Sequence, residues 1–193
     1  MPQRLARNLA LVALALSCAA PALAEWKQDA NLFTVDVGLA TARIRDASKY
    51  LTAGTVKLAY DNVDDVEPRS FGADAYYIRG ENDLTEDGER VHSEYRSFRA
   101  HVGFKYWFGK PSTKGYVGAG VGLHFSELDR LTESGASSTT DIINTSMNAP
   151  VGFNTYLTEN VFVDMNMTAD WMGQSVYTGN WNFIFNVGVG WKL

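Results

Sequence analysis

From residue 183 to the end of the chain every second side chain is apolar: positions 183, 185, 187, 189, 191 and 193 are Phe, Phe, Val, Val, Trp and Leu. Between them lie Asn182, Ile184, Asn186, Gly188, Gly190 and Lys192, with one apolar member. Side chains on a strand point to opposite faces with period two, so this segment is predicted to be a strand with one greasy and one polar face. Helical spacing does not give that pattern.

The alternation recurs upstream. Odd positions across 117–125 read Val, Ala, Val, Leu, Phe, and across 161–171 Val, Val, Met, Met, Ala, Trp. Even positions across 98–108 read Phe, Ala, Val, Phe, Tyr, Phe, against Arg99, His101, Gly103, Lys105 and Trp107. Segment 143–157 repeats the pattern, with Pro150 on its polar side, where a lost ladder donor predicts a bulge or a kink near a rim. Two earlier segments, around 33–39 and 50–60, alternate less cleanly. An eighth, FGADAYYI at 71–78, shows no clear face.

Ordinary strands average about 5–6 residues, whereas a tilted membrane-crossing strand needs about 9–11, and these segments match the longer figure. An open sheet edge in hydrocarbon leaves backbone groups unpaired at several kcal/mol each, so eight such strands must close. The expected fold is therefore all-β: a closed, eight-stranded antiparallel transmembrane β-barrel of up-and-down topology. With the chain starting on the inner side, the outer connections fall at 45–49, 79–94, 127–141 and 173–180. The inner ones fall at 61–70, 109–115 and 158–160. Long outer and short inner connections are the rule for such barrels, which only 61–70 departs from. Tyr50, Phe125, Trp171 and Trp181 then fall near the outer rim, and Phe33, Tyr60, Phe71, Phe108 and Trp191 near the inner one, where aromatic belts form. A soluble sandwich or lipocalin-like barrel is the competing architecture.

The first 24 residues change the picture of where the chain resides. Arg4 and Arg7, an apolar run at 9–16 (LALVALAL) and Ala22-Leu23-Ala24 have the form of a cleavable secretory signal, too short to span a bilayer as a helix. The expected organisation is a signal peptide at 1–24 and an outer-membrane barrel at 25–193. The one cysteine, Cys18, lies in the leader, so disulfides and thiolate chemistry are not expected of the mature protein. The whole chain carries 17 Lys and Arg against 22 Asp and Glu; losing Arg4 and Arg7 leaves 15 against 22, a net charge of −7. No basic cluster offers a nucleic-acid footprint.

The leader, the strand GYVGAGVGLHF at 115–125 and the closing NFIFNVGVGWKL at 182–193 resemble the small bacterial outer-membrane barrels of the OmpA transmembrane-domain, OmpX and opacity-protein kind. That resemblance implies residence in the outer membrane beside lipid and lipopolysaccharide. It also implies insertion by the barrel-assembly machinery through the C-terminal strand, which here ends in Leu193 where Phe or Trp is usual. Barrels of the OmpW and YfaZ kinds are neighbouring possibilities.

An eight-stranded barrel is just wide enough for its own side chains. The inward set Asp36, Lys57, Arg99, His101, Lys105, His124, Asp164 and Asp170 is expected to pair internally, since buried charges require partners. His124 and Ser126, two apart on one strand, share a face; with Glu127, Asp129 or Glu133 they form the most enzyme-like constellation. The pair resembles the His-x-Ser of lipid A deacylases, although Glu127 stands where those enzymes commonly carry Asn and the pair points into the lumen. His92-Ser93 invites comparison with outer-membrane palmitoyltransferases and reads better as solvated. The acidic segment 79–94 could share divalent cations with lipopolysaccharide phosphates. No zinc spacing, phosphate loop or nucleotide fingerprint occurs, so neither a cofactor nor a dedicated metal site is expected, and the chain is not expected to be an enzyme. The leading expectation is a structural or surface-interaction role through the outer connections, with no external partner specified by any residue. The alternatives are a narrow channel for small solutes and a lipid A-modifying enzyme.

Overall fold

A computed structural model of the chain describes residues 30–43, 50–64, 67–86, 88–173 and 181–193. The leader with Cys18, the outer connection 45–49 and all but Gly173 of 173–180 lie outside the described residues. Eight strands occur among the described residues: β1 (Ala30–Arg43), β2 (Tyr50–Val63), β3 (Arg69–Glu86), β4 (Glu89–Lys110), β5 (Thr113–Thr132), β6 (Ser137–Tyr156), β7 (Val161–Met172) and β8 (Trp181–Lys192). Each pairs antiparallel with its neighbour, and β8 returns to β1 through a ladder from Leu32↔Lys192 to Ala42↔Asn182, so the sheet closes with no free edge at membrane depth.

The burial pattern is that of a soluble protein turned inside out. Val37, Leu39, Phe104, Val121, Met147 and Phe185 are exposed on the outer wall, while Asp36, Arg99, His101, Asp164 and Asp170 are buried within. A continuous apolar surface all round the sheet far exceeds the few hundred Å² that soluble monomers expose, and it matches a lipid-facing wall. The alternation carried the faces of the seven patterned segments correctly, and the structure supplies those of β3, which the sequence left undecided. There Tyr76 and Ile78 point inward and Phe71 and Tyr77 outward.

Aromatic side chains ring the wall near its ends. Phe33 stacks on Trp191 with centroids 6.4 Å apart, and Phe71 meets Phe104 edge-on at 4.9 Å. Phe125, at the outer end, has the parity of the outer face, lies between its cross-strand partners Phe98 and Ile143, and is largely buried.

Three expectations need correction. Segments 79–94 and 127–141 are continuations of the strands: β3 pairs with β4 up to Glu86↔Glu89, and β5 with β6 up to Leu131↔Ser137. The inner connections placed at 61–70 and 109–115 shrink to 64–68 and 111–112, because β2 runs on to Val63, β3 starts at Arg69, β4 runs on to Lys110 and β5 starts at Thr113. Pro150 makes no bulge. The β5–β6 register is the same on both sides of it, with Val117↔Val151 and Gly120↔Asn148, and the ladder merely skips the intervening pairs. Gly118 lies opposite, and the proline ring turns into the lumen, so the absent N–H costs one rung and no rearrangement.

Candidate functional site

Inward side chains of the eight strands form three polar clusters stacked between two apolar layers. In the first, Lys57 Nζ lies 2.7 Å from Asp36 and 3.6 Å from Asp164. Asn166 donates to both carboxylates, at 3.2 and 2.5 Å, and the Tyr116 hydroxyl donates to Asp164 at 2.9 Å. Thr55 donates to Asn186 at 2.6 Å, and Asn186 to Asn166 at 3.2 Å. One ammonium therefore serves two carboxylates, with an amide and a hydroxyl as further donors, while Asp36 Oδ1 has no hydrogen-bond partner among the described residues.

The second cluster joins Lys105 Nζ to Asp61 at 2.5 Å, with the Ser70 hydroxyl donating to Asp61 and the Trp107 indole N–H donating to Ser70 at 2.9 Å. In the third, Arg99 pairs with Asp170 and donates to the Tyr95 hydroxyl at 3.2 Å. His101 sits between Asp74 at 2.8 Å and Ser146 at 2.9 Å, with Asp170 at 3.7 Å. All six charged residues expected in the lumen are there. Asp61 and Asp74 join them, so five carboxylates face three cations and His101. Asp61 was hidden by assigning its segment to a turn; carrying the inward parity of β2 two residues further finds it. Asp74 lies on the strand whose faces the sequence left undecided.

Above these clusters Ala40, Ala53, Tyr76, Ile78, Tyr95, Leu128 and Ile184 pack together across the lumen. Below them Leu32, Trp107, Tyr116 and Phe162 do the same, with Val63 and Tyr156 against them. Gly152 and Gly190 make room for the lower layer: a Cβ on Gly152 would lie 2.7 Å from the Tyr116 hydroxyl, and one on Gly190 would strike the Phe162 ring.

His124 and Ser126 are both buried and both face the lumen, as their spacing requires. Ser126 donates to Ser97 at 3.1 Å and lies 3.3 Å from the Tyr95 hydroxyl. The proposed orienting acids are elsewhere. Glu127 and Asp129 occupy the alternate parity and pair through the outer wall with Arg96, at 3.3 and 3.4 Å. A strand's two faces keep the pair and these two acids on opposite sides of the sheet. His92 and Ser93 are likewise split: His92 points out, 2.7 Å from Asp83, and Ser93 points in. Among the described residues no group of three or more His, Cys, Asp and Glu is arranged to hold a metal ion.

The outer wall of β3 to β6 changes character in successive cross-strand rows. Tyr77, Phe98, Phe125 and Ile143 form the last apolar row. The next holds Arg79, Arg96, Glu127 and Asp141, the next Glu81, Glu94, Asp129 and Thr139, and the last Asp83, His92, Leu131 and Ser137. The boundary of the lipid-facing wall on this side therefore falls between the first and second rows, and the two hairpins rise beyond it as one four-stranded sheet.

Glu94 bridges both arginines, at 3.0 Å from Arg79 and 2.7 Å from Arg96. The hydrogen bond from Arg96 comes first among the causes that hold the Glu94 carboxyl below its ordinary value. At the tips the Glu89 carboxylate accepts the Ser134 backbone N–H at 2.6 Å, and Glu133 N donates to Arg90 O at 3.0 Å, tying the hairpins together. Hydrogen bonding to the Ser134 side chain, then to its backbone, lowers the Glu89 pKa. The Asp83 hydrogen bond raises that of His92.

A family model described as the outer membrane protein beta-barrel domain matches residues 10–192. Comparison with curated protein sequences returns no match. Among solved structures, Neisserial surface protein A superposes with a TM-score of 0.64 at 16% identity, over 84% of this chain and 97% of that one. A major outer membrane protein from Thermus thermophilus gives 0.57 at 9% identity, over 84% and 99%. Ail, the attachment invasion locus protein of Yersinia pestis, solved in complex with the heparin analogue sucrose octasulfate, gives 0.52 at 14% identity, over 84% and 99%. At these identities the likeness is one of fold.

Proposed function

Because the chain belongs to the outer membrane protein β-barrel domain family and is an outer-membrane barrel, we propose that it works as a closed scaffold presenting the sheet of hairpins β3–β4 and β5–β6 to partners outside the cell. The observation that carries this reading is the lumen, where two apolar layers in series enclose a hydrogen-bonded ionic core. A solute path needs water-lined continuity, which such packing opposes.

The chemistry of the hairpins points to cationic partners. Segment 79–94 carries six acids against two arginines, and 127–141 four acids against one arginine. The heparin analogue bound by Ail is a polyanion; the like charge here disfavours such a ligand and favours a basic peptide or protein surface. No chemistry is assigned to His124 and Ser126, which serve as lumen filling in this reading. The reading also has residues 1–24 removed on export and the barrel assembled through β8; the N-terminal sequence of the mature protein checks the cleavage.

The test is a pair of measurements on protein purified from outer membranes. Titration with an oligolysine peptide in zwitterionic micelles is expected to saturate. It should weaken with added salt and weaken at least tenfold on combining Glu81→Gln, Asp83→Asn and Glu94→Gln. In planar bilayers the same protein is expected to leave the conductance at that of the empty membrane. Steady single-channel currents would replace this proposal with the narrow-channel reading, and indifference of peptide binding to the three substitutions would remove the partner chemistry.

A further inference from the structure

The inner mouth of the barrel holds an open cavity of about 280 Å³, lined among others by Leu32, Val63, Trp107, Tyr156, Lys114 and Lys192. Its floor is the lower apolar layer, so the walls offer aromatic and aliphatic surface already fixed by the barrel core. Trp107 is held from two sides: its indole N–H donates to Ser70 at 2.9 Å, and its backbone N–H donates to Pro68 O at 2.7 Å.

The charges on the rim are asymmetric in their engagement. The acids Asp64 and Glu67 lie 4.0 and 2.9 Å from the Arg69 guanidinium. The two lysines lining the same cavity, Lys114 and Lys192, form no ion pair among the described residues. Among the described residues lining this cavity, the charged groups without an ion-pair partner are thus these two lysines, although the chain as a whole is acidic.

We infer that the inner mouth is a binding site for a small amphipathic organic anion, with its carboxylate or sulfonate met by Lys114 and Lys192 and its apolar body laid on Trp107, Tyr156 and Leu32. The volume sits at the small end of ligand sites, which run about 300–1,000 Å³, so a single ring with a short chain is the expected size. Apolar walls with a few convergent charged groups are the usual makeup of such sites, and barrel mouths are among their usual positions. The site lies at the opposite end of the molecule from the hairpins and stands independently of their role.

The probe is 3-phenylpropionate, titrated into the full protein in zwitterionic detergent while the Trp107 indole N–H resonance is followed. A saturable shift is expected. The neutral analogue 3-phenylpropanamide should bind at least tenfold more weakly, and the Lys114→Gln/Lys192→Gln double variant should lose at least tenfold affinity for the acid. Both lysines lie at the rim, and a heat-modifiability gel verifies that the variant barrel is folded. Acid and amide binding equally, the double variant binding like the parent, or no saturable shift at millimolar probe would each overturn the assignment.

Discussion

Single residues show how narrow the lumen's tolerance is. Lys57 holds apart two carboxylates, Asp36 at 2.7 Å and Asp164 at 3.6 Å, in a fully enclosed space. Lys57→Met removes the ammonium of that cluster and leaves two buried acids facing each other. Breaking a buried pair from one side costs about 3–5 kcal/mol, so the variant barrel should unfold at distinctly lower urea, read as loss of the fast-migrating form on an unboiled gel. A triple variant Lys57→Met/Asp36→Leu/Asp164→Leu removes the stranded charges and should recover much of that loss, because replacing a buried ionic group by apolar residues is often close to neutral.

Outside the membrane, His92 offers a test with a sign. Its hydrogen bond to Asp83, the largest cause of its shift, raises its pKa above the ordinary value near 6.5. A raised folded-state value means the contribution is fully present below the unfolded value and disappears as pH rises through the folded one. An NMR titration of His92 should therefore give a midpoint above 6.5 that falls back in Asp83→Asn; an unchanged midpoint in that variant would show that the carboxylate is not the cause.

At the scale of elements, the faces were legible in every strand but β3, and the lengths were not. Period-two alternation placed Asp36, Arg99 and Asp170 inside from sequence alone, because lipid outside and a packed interior impose opposite chemistry on neighbouring residues. Ile184, the one apolar member of a polar series, becomes intelligible only with its partners Tyr76, Ile78 and Leu128, which come from two other strands. No local pattern contains that layer. The hairpins were missed for a different reason. Beyond Arg79 the outer face turns charged, which looks like loop composition, while the inward face continues with Val91, Tyr95 and Leu128 buried. Asp87-Gly88 in the middle of the segment is a strong two-residue hairpin signal, and Gly88 has a φ of 86°. Strand hairpins and loops predict different exchange. Amides of 79–86, 89–94 and 127–131 should show slow hydrogen exchange in the detergent-solubilised protein, with fast exchange confined to the tips near 88 and 133–136. Uniformly fast exchange across 79–94 would return that segment to a loop.

For the whole molecule, the proposed closed scaffold makes the two apolar layers seals in series, and series elements make a graded prediction. Water and ions crossing the lumen must pass the upper layer around Tyr76 and Ile184, the ionic clusters, and the lower layer around Trp107 and Phe162. Opening one seal leaves the other, so Tyr76→Ala/Ile184→Ala should remain at the leak of an empty bilayer even though it enlarges the upper lumen. Adding Trp107→Ala and Phe162→Ala removes the second obstacle and joins the outer side to the inner mouth through the polar core. Small currents should then appear, and the preference should be for cations, since five carboxylates outnumber the three cations of that core. The quadruple variant loses much buried apolar surface, so its folding must be verified by gel migration before currents are read. If the single-layer variant already conducts as well as the quadruple one, the lower layer is not a seal, and the barrel's closure rests on the upper layer and the ionic core alone.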